Sequence, residues 1–324
     1  MIYRTLGRTG LSVSVIGYGA WGIGGNQWRG HNEDEAYKAL RRALELGLNF
    51  IDTALAYNDG HSETIIGQVL ASSDVKAMVA TKVPPKNRIW PARPEFALDD
   101  VYPYDYIVEN TETSLRNLGV ERIDLQQFHV WTDAWTPREE WRRAIEDLKR
   151  AGKVRFFGIS ATEHEPGTAL EACKTGLIDT VQATYSIYDQ SPEAKLFPLA
   201  QEMNIGVLAR CPFDEGSLTG RITPQTEFDP AEFRAMYFKG DRRQQVFDRA
   251  NALKADLEQA GVTEALAETA LRYCFTHAAV STVIPGMRQV CNVEQNLAVT
   301  EKGPLAEPIR ALLKKHAWVK NFYQ

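Results

Sequence analysis

Residues 17–22 read Gly-Tyr-Gly-Ala-Trp-Gly, a G-x-G-x-x-G pattern that follows the largely apolar residues 13–16. In a Rossmann domain the last glycine opens a helix whose amides bind a pyrophosphate, and an acidic residue for the ribose follows about 20 positions later. Here glycines continue to Gly30, too many for a first helical turn. The acidic residue at the end of the next strand, Asp52, lies 33 positions after Gly19. The motif therefore does not predict a Rossmann domain.

Strand-like and helix-like segments alternate along the rest of the chain. The first helix is predicted to start after Asn32, which forms a capping box with Glu35. Gly47 and Gly119 stop two amphipathic patterns. A further helix is predicted to open at Thr136 as N-cap, followed by a proline and a capping-box glutamate. The strand candidates are residues 13–17, 49–53, 78–83, 124–130, 154–160, 180–186, 205–211 and 281–286.

This alternation predicts right-handed βαβ units and a parallel sheet in an α/β fold. Eight units fit a closed (β/α)8 TIM barrel better than an open doubly wound sheet, because no linker or composition shift marks a second domain. We expect one barrel domain over residues 1–324, with an N-terminal β-hairpin formed by residues 3–6 and 12–16. Two long connections, residues 84–104 and 212–243, are expected at the catalytic face.

The overall composition excludes several classes of protein. The 324 residues are 44% hydrophobic and 24% charged, as in ordinary globular proteins. A net charge of −5 and a pI near 5.8 argue against nucleic acid or an anionic membrane as the main partner. No signal-peptide core or membrane-spanning apolar run is present. The scattered cysteines form no CxxC pair, so we expect no disulfide frame, no metal site and a cytoplasmic location; they are Cys173, Cys211, Cys274 and Cys291.

Polar residues end or follow three consecutive strand candidates. Asp52 and Tyr57 come at and after the second, Lys82 near the end of the third, and His129 at the end of the fourth. Because active sites of these barrels lie at the carboxyl ends of the strands, we expect the four side chains to converge. The sequence predicts that Asp52 pairs with Lys82 and that the ammonium lowers the pKa of Tyr57. Tyr57 would then donate a proton to a substrate oxygen, with His129 as a second donor.

Motifs spread over nearly the whole chain resemble those of the aldo-keto reductase family. They are "VIGYGAWG", "NFIDTALAY", "ATKV", "FHV", "FFGIS", "VQATYS", "VLARCPF…GSLTG" and "VIPGMR…VEQNLAV". The resemblance implies an NAD(P)H-dependent oxidoreductase that reduces a small-molecule aldehyde or ketone to an alcohol. It also implies that Asp52, Tyr57, Lys82 and His129 form the catalytic tetrad, with Tyr57 as general acid.

The resemblance further implies cofactor contacts along the barrel mouth. NADPH is favoured over NADH, because Arg288 precedes a helix predicted over residues 290–298 and could bind a 2′-phosphate. The implied cofactor positions are Gly19, Ala20, Trp21, Ser160, Gln182, Arg210, Pro212, Phe213, Gly216, Leu218, Arg221, Gly286, Arg288, Asn292, Gln295 and Asn296. The expected substrate-pocket residues are Trp21, Trp90, Trp131 and Phe213, with the aromatic tail of residues 318–323 as a further wall.

Four positions depart from the family pattern. Ala161 lacks a side-chain donor that often follows the serine, and Gln295 replaces a more usual glutamate. Asp214 and Glu215 place two acids in the loop that would strap the pyrophosphate, where they would repel it. We expect them to face the substrate or to pair with Arg210 or Arg221.

Two other functions remain open from the sequence. A redox-sensing binding protein resembling the β subunits of voltage-gated potassium channels would share the barrel and the cofactor. His129 argues against it, because those subunits carry a different polar residue there. A barrel aldolase with a Schiff base on Lys82 is disfavoured, because Asp52 would keep that amine protonated.

Overall fold

The structure, a computed structural model, describes residues 1–25, 28, 30 and 32–319. Within these residues, two short antiparallel strands precede eight parallel ones. The strands are β1 (Tyr3–Thr5), β2 (Ser12–Ser14), β3 (Tyr18–Gly19), β4 (Phe50–Asp52), β5 (Met78–Val83), β6 (Ile123–Phe128), β7 (Val154–Ser160), β8 (Thr180–Thr184), β9 (Gly206–Arg210) and β10 (Val280–Val283).

Helices connect the parallel strands and cover the outside of the sheet. The α-helices are α1 (Glu33–Glu45), α2 (His61–Ala71), α3 (Leu98–Val101), α4 (Tyr104–Leu118), α5 (Glu140–Arg150), α6 (Leu170–Lys174), α7 (Leu196–Glu202), α8 (Phe233–Tyr237), α9 (Arg242–Gln259), α10 (Leu266–Thr276), α11 (Val290–Lys302) and α12 (Glu307–Lys314). Asn32 caps α1 as predicted, by accepting a hydrogen bond from the Glu35 amide. Gly119 ends α4 in the left-handed conformation. In the part of the chain described, no helix is long and apolar enough to cross a bilayer.

The parallel strands pair in chain order from β3 to β10. Two parallel bridges, Ile16 to Val283 and Gly19 to Gly286, join the two edges of this sheet. The sheet therefore curls into a (β/α)8 barrel, which confirms the predicted fold class together with its N-terminal hairpin. Because all eight strands run the same way, their carboxyl ends meet at one face.

Several predicted boundaries are wrong. The last strand ends at Val283 and not at residue 286, and α11 ends at Lys302 and not at residue 298. The first barrel strand is Tyr18–Gly19 and not residues 13–17, because Ser12–Ser14 pairs with β1 in the hairpin. Gly19 approaches the neighbouring backbone so closely that a Cβ there would lie 2.7 Å from the Ile284 carbonyl oxygen. The helix predicted to open at Thr136 begins at Glu140. The Thr136 hydroxyl bonds back to Asp133 instead, at the end of a 3-10 turn.

The hairpin closes the amino end of the barrel. Its side chains Leu6, Leu11 and Val13 are buried in one apolar cluster with residues from the barrel interior, namely Phe50, Ala80, Leu125, Leu208 and Ile284. Gly7 has a φ of +48°, and a Cβ there would lie 2.2 Å from the Gly206 nitrogen, so only glycine fits this contact. The hairpin leaves the carboxyl end of the strands as the face where a ligand can enter.

We expect Leu6→Ala to destabilise the protein by about 2–5 kcal/mol, because it empties a fully buried position in the hairpin cluster. Val75→Ala, at a position 41% exposed, should change the free energy of unfolding by less than about 0.5 kcal/mol. Urea unfolding followed by circular dichroism measures both. Equal effects of the two variants would show that the hairpin does not unfold with the barrel.

Candidate active site

A cavity of about 1200 Å³ opens at the carboxyl ends of the strands. Ligand pockets usually enclose roughly 300–1000 Å³, so this one has room for a ligand of dinucleotide size and a second molecule. It is lined by all the site residues proposed from the sequence except Lys82, Trp131 and Leu218. Lys82 lies directly beneath the floor of the cavity.

A buried ion pair lies at the centre of this floor. Lys82, on β5, is fully buried, and Asp52 ends the neighbouring strand β4. The Lys82 ammonium donates to Asp52 Oδ1 at 2.6 Å and to the Thr53 carbonyl at 2.7 Å. Burial lowers the pKa of Lys82, and the Asp52 carboxylate opposes that change. The structure thus brings together the pair expected from the sequence.

The second Asp52 oxygen is bonded by two glutamines. Gln182 on β8 donates to Oδ2 at 2.8 Å, and Gln127 on β6 donates to it at 3.2 Å. The sequence analysis does not assign Gln127, although a polar side chain within a barrel strand is a usable signal. Both glutamines hold the carboxylate in place and reduce the cost of its burial.

Tyr57 points at this ion pair from the turn that follows β4. Its hydroxyl lies 3.4 Å from the Lys82 ammonium. The expectation that Lys82 lowers the Tyr57 pKa is wrong: burial, and next the Asp52 carboxylate, raise the pKa well above its usual value. The Asp52 charge largely cancels that of Lys82, so desolvation decides. The phenol therefore keeps its proton at neutral pH.

His129 follows β6 and lies on the other side of Tyr57. The two ring centroids are 5.8 Å apart at an interplanar angle of 77°. Burial, and next the Lys82 and Arg210 charges, lower the pKa of His129 well below its usual value. Nδ1 is buried and meets no hydrogen-bond partner within the described part of the chain. A neutral imidazole still offers one N–H as a donor.

Aromatic side chains form walls around Tyr57 and His129. Trp21 stacks near Tyr57 with centroids 6.3 Å apart, and Trp90 lies edge-on to His129 at 5.8 Å. Phe233, from α8 in the long connection after β9, packs edge-on against Trp21 at 5.1 Å. Phe213 also lines the cavity. No sequence pattern indicates a role for Phe233, because its position depends on how that connection folds.

Two expected site residues lie in the hydrophobic core instead. Trp131 is fully buried behind the sheet, with its ring 5.1 Å from that of Phe128 and 5.2 Å from that of Trp141. Leu218 is also fully buried, and its amide bonds to the Phe213 carbonyl within the same loop. Each is a large apolar side chain that packs inward, so neither lines the cavity.

The aromatic tail that was expected to form a further wall begins at Trp318. Trp318 packs on Tyr188 and lies 4.3 Å from the Arg249 guanidinium, and it does not line the cavity. Residues 320–323 of the predicted wall lie outside the described residues.

One end of the cavity fits a carboxamide. Ser160, at the end of β7, is almost fully buried, and its hydroxyl makes no hydrogen bond to any described residue. Gln182 uses its amide nitrogen on Asp52, which leaves its oxygen as acceptor. A hydroxyl and an amide oxygen side by side complement the nicotinamide carboxamide. The residues present therefore fit the nicotinamide end of the cofactor.

The two acids of the strap loop have different surroundings. Asp214 turns away from the cavity, accepts a hydrogen bond from the Tyr237 hydroxyl at 2.6 Å and lies 3.6 Å from Arg242. The expected pairing with Arg210 or Arg221 is therefore wrong for Asp214. Glu215 lines the cavity and accepts from the Cys211 thiol. Burial, and next the Glu163 carboxylate, raise the pKa of Glu215 to about 7, so at neutral pH it carries only part of its charge.

Two arginines of the cavity lining lie close to Trp28. The guanidinium carbons of Arg288 and Arg234 lie 5.5 Å and 5.0 Å from the ring centre of Trp28. One donor of the anion site expected at the start of α11 is already used, because the Val290 amide donates to the Glu35 carboxylate. Further proposed cofactor residues line the same cavity, namely Arg221, Gly286, Asn292, Gln295 and Asn296.

The sequence model of the Aldo/keto reductase family matches residues 15–316. The chain belongs to the aldo/keto reductase family. It is therefore an oxidoreductase of carbonyl compounds that uses a nicotinamide cofactor.

Three relatives illustrate the range of similarity. Aldo-keto reductase YhdN of Bacillus subtilis is 33% identical over 72% of this chain and 69% of its own length. A probable voltage-gated potassium channel subunit beta of Arabidopsis thaliana is 28% identical over 95% of this chain and 94% of its own. The solved holo form of aldo-keto reductase AKR11C1 from Bacillus halodurans aligns over 100% of this chain and 100% of its own, with 30% identity and a TM-score of 0.78.

The lowered pKa of His129 predicts a pH-dependent stability. Below its usual pKa of about 6.5 the unfolded chain binds a proton at His129 that the folded protein does not bind, so stability falls as pH decreases. This group should contribute a loss of about 1.4 kcal/mol per pH unit below that point. Urea unfolding between pH 7 and 5 should show a smaller loss in His129→Gln than in the wild type. An equal loss of stability in the wild type and in His129→Gln would mean that His129 has the same pKa in the folded and unfolded states.

Proposed function

We propose that the chain reduces small aldehydes or ketones to alcohols with a proton donated by Tyr57. The observation that carries this proposal is the contact between the protonated Tyr57 hydroxyl and the buried Lys82–Asp52 pair. Tyr57 lines the cavity, and the Lys82 ammonium lies behind its hydroxyl. A general acid needs both a proton at neutral pH and a way to stabilise the charge left after transfer.

The cofactor would lie across the barrel mouth, with its nicotinamide at Ser160 and Gln182 and its phosphates beneath the strap loop. When bound, the reduced nicotinamide supplies the hydride to the carbonyl carbon. Tyr57 protonates the carbonyl oxygen, and Lys82 then stabilises the phenolate that remains. The neutral His129 donates a hydrogen bond to the same oxygen and orients the substrate. The aromatic walls exclude water from this end of the cavity.

NADPH is the preferred cofactor in this proposal. The support is the cluster of Arg288 and Arg234 around Trp28, since guanidinium groups bind a phosphate with paired hydrogen bonds. Arg234 is bonded to Glu232 at 2.9 Å. We assign the 2′-phosphate to Arg288, because it lines the cavity just before the start of α11, as the family resemblance implies. We place the enzyme in the cytoplasm, because its four free cysteines fit a reducing compartment.

A redox-sensing role without turnover is the second candidate. The similarity to the Arabidopsis channel subunit favours it, because a sensor of this kind would keep the barrel and the cofactor cavity. The convergence of Tyr57, Lys82, Asp52 and His129 supports catalysis instead. A wild-type protein that binds NADPH tightly but turns over no aldehyde or ketone in a broad panel would favour the sensor.

Tyr57→Phe should lower kcat/KM for aldehydes by roughly 10²- to 10⁴-fold, because it removes the proton donor. Its Kd for NADPH should stay within about twofold of the wild type, since the phenol hydroxyl bonds to Lys82 rather than to the proposed cofactor positions. The assay follows NADPH oxidation, with Tyr3→Phe at the amino end of the barrel as matched control. A Tyr57→Phe variant with full activity would refute the assigned acid.

Arg288→Gln should raise the Kd for NADPH about tenfold, because one charge-assisted hydrogen bond to phosphate is lost. The Kd for NADH, which lacks the 2′-phosphate, should change by less than about twofold. Fluorescence titrations with both cofactors measure this difference, and Arg150→Gln on the exposed surface of α5 serves as control. An equal loss for both cofactors would overturn the role of Arg288 in cofactor choice.

A further inference from the structure

The Arg210 guanidinium is held by two acceptors from the loop after β7. Its Nη1 donates to Glu163 Oε1 at 2.6 Å, and its Nη2 donates to the Ala161 carbonyl at 3.0 Å. Two bonds from different nitrogens of one planar group restrict its orientation as well as its position. Both Arg210 and Glu163 line the cavity.

Arg210 stands at the reactive end of the cavity. It ends β9, and the carbonyl that it binds belongs to the residue directly after Ser160. Burial is the main cause of the shifted pKa values of Tyr57 and His129, but the Arg210 charge acts on both groups. The guanidinium therefore lies within electrostatic reach of the two groups that would meet the carbonyl oxygen.

The loop that carries Glu163 is anchored on both sides of it. The Thr162 hydroxyl donates to the Trp131 carbonyl at 3.2 Å. His164 has a φ of +60°, in the left-handed region, and its Nδ1 lies 2.7 Å from Asp189 Oδ2. His164 is thus fixed inside the protein on Asp189, while Glu163 lines the cavity beside Arg210. A non-glycine residue keeps this conformation only where its surroundings enforce it.

We propose that Glu163 is a positioning residue, which sets the plane of the Arg210 guanidinium so that it receives the nicotinamide ring of the cofactor. The proposal rests on the proposed function. It explains how a chain with Ala161, which has no side-chain donor, can still order this end of the cavity: the Ala161 carbonyl and the Glu163 carboxylate together orient Arg210. Glu163 itself transfers no proton and touches no reacting atom.

The test compares the intact cofactor with a fragment that lacks nicotinamide. Dissociation constants are measured by calorimetry for NADPH and 2′,5′-ADP, or for NADH and ADP if the wild type binds NADH more tightly. Glu163→Gln keeps the shape of the side chain and removes its charge. Glu165→Gln, at an exposed position two residues later, is the matched control.

Glu163→Gln should raise the Kd of the intact cofactor about tenfold, as expected for a weakened charge-assisted hydrogen bond. The Kd of the fragment should stay within about twofold, and Glu165→Gln should leave both unchanged. An unchanged Kd for the intact cofactor would overturn the proposal. So would an equal loss for cofactor and fragment, because that result would show a general structural effect. A wild type that binds no dinucleotide would instead refute the proposed function.

A double-mutant cycle tests the same point by a second route. If Glu163 acts through Arg210, Glu163→Ala should raise the cofactor Kd in the wild-type background and have no further effect in Arg210→Ala. Additive losses would show that Glu163 acts independently of Arg210 and would overturn the positioning role. This cycle decides the question even where Glu163→Gln alone changes stability.

Discussion

The site depends on a charge pair that is almost completely removed from water. Desolvation of an ammonium or a carboxylate costs several kcal/mol, and here it is offset by a full set of partners. The Thr53 carbonyl, Gln127 and Gln182 complete the coordination of Lys82 and Asp52. These groups come from or next to strands β4, β5, β6 and β8, so four strands are tied together at one level. Tyr57 and His129 are positioned relative to that layer.

Three acidic residues at or near the cavity are arranged so that they direct little negative charge into it. Glu163 is neutralised by Arg210, and Asp214 is turned onto Tyr237 and Arg242. Glu215 remains at the cavity wall, where burial favours its protonated form. The loop that carries Asp214 and Glu215 is therefore compatible with a bound anion, although its sequence contains two acidic residues.

The parts of the site that the sequence predicted are those set by periodicity. A polar residue at the carboxyl end of a barrel strand has its place determined by the fold, which is why Asp52, Lys82 and His129 were found. Trp131 lies only two residues beyond His129, but in a loop whose side-chain directions periodicity does not determine. The pKa of Tyr57 was misjudged because it depends on burial, and burial depends on the whole barrel mouth. The positions of Phe233 and Glu163 could not be predicted for a similar reason, because they depend on how the long loops fold.

The hairpin that closes the amino end of the barrel also determines when folding of the barrel can be completed. Arg4 donates to the carbonyls of His277 and Val280, and Ile16 bridges to Val283. At about 5–20 residues per second, a ribosome needs roughly 14 to 55 s to make the chain between Arg4 and Val280. Through that interval the apolar side of the hairpin has no barrel to enter. The amino end of the barrel can therefore be closed only when synthesis is nearly finished.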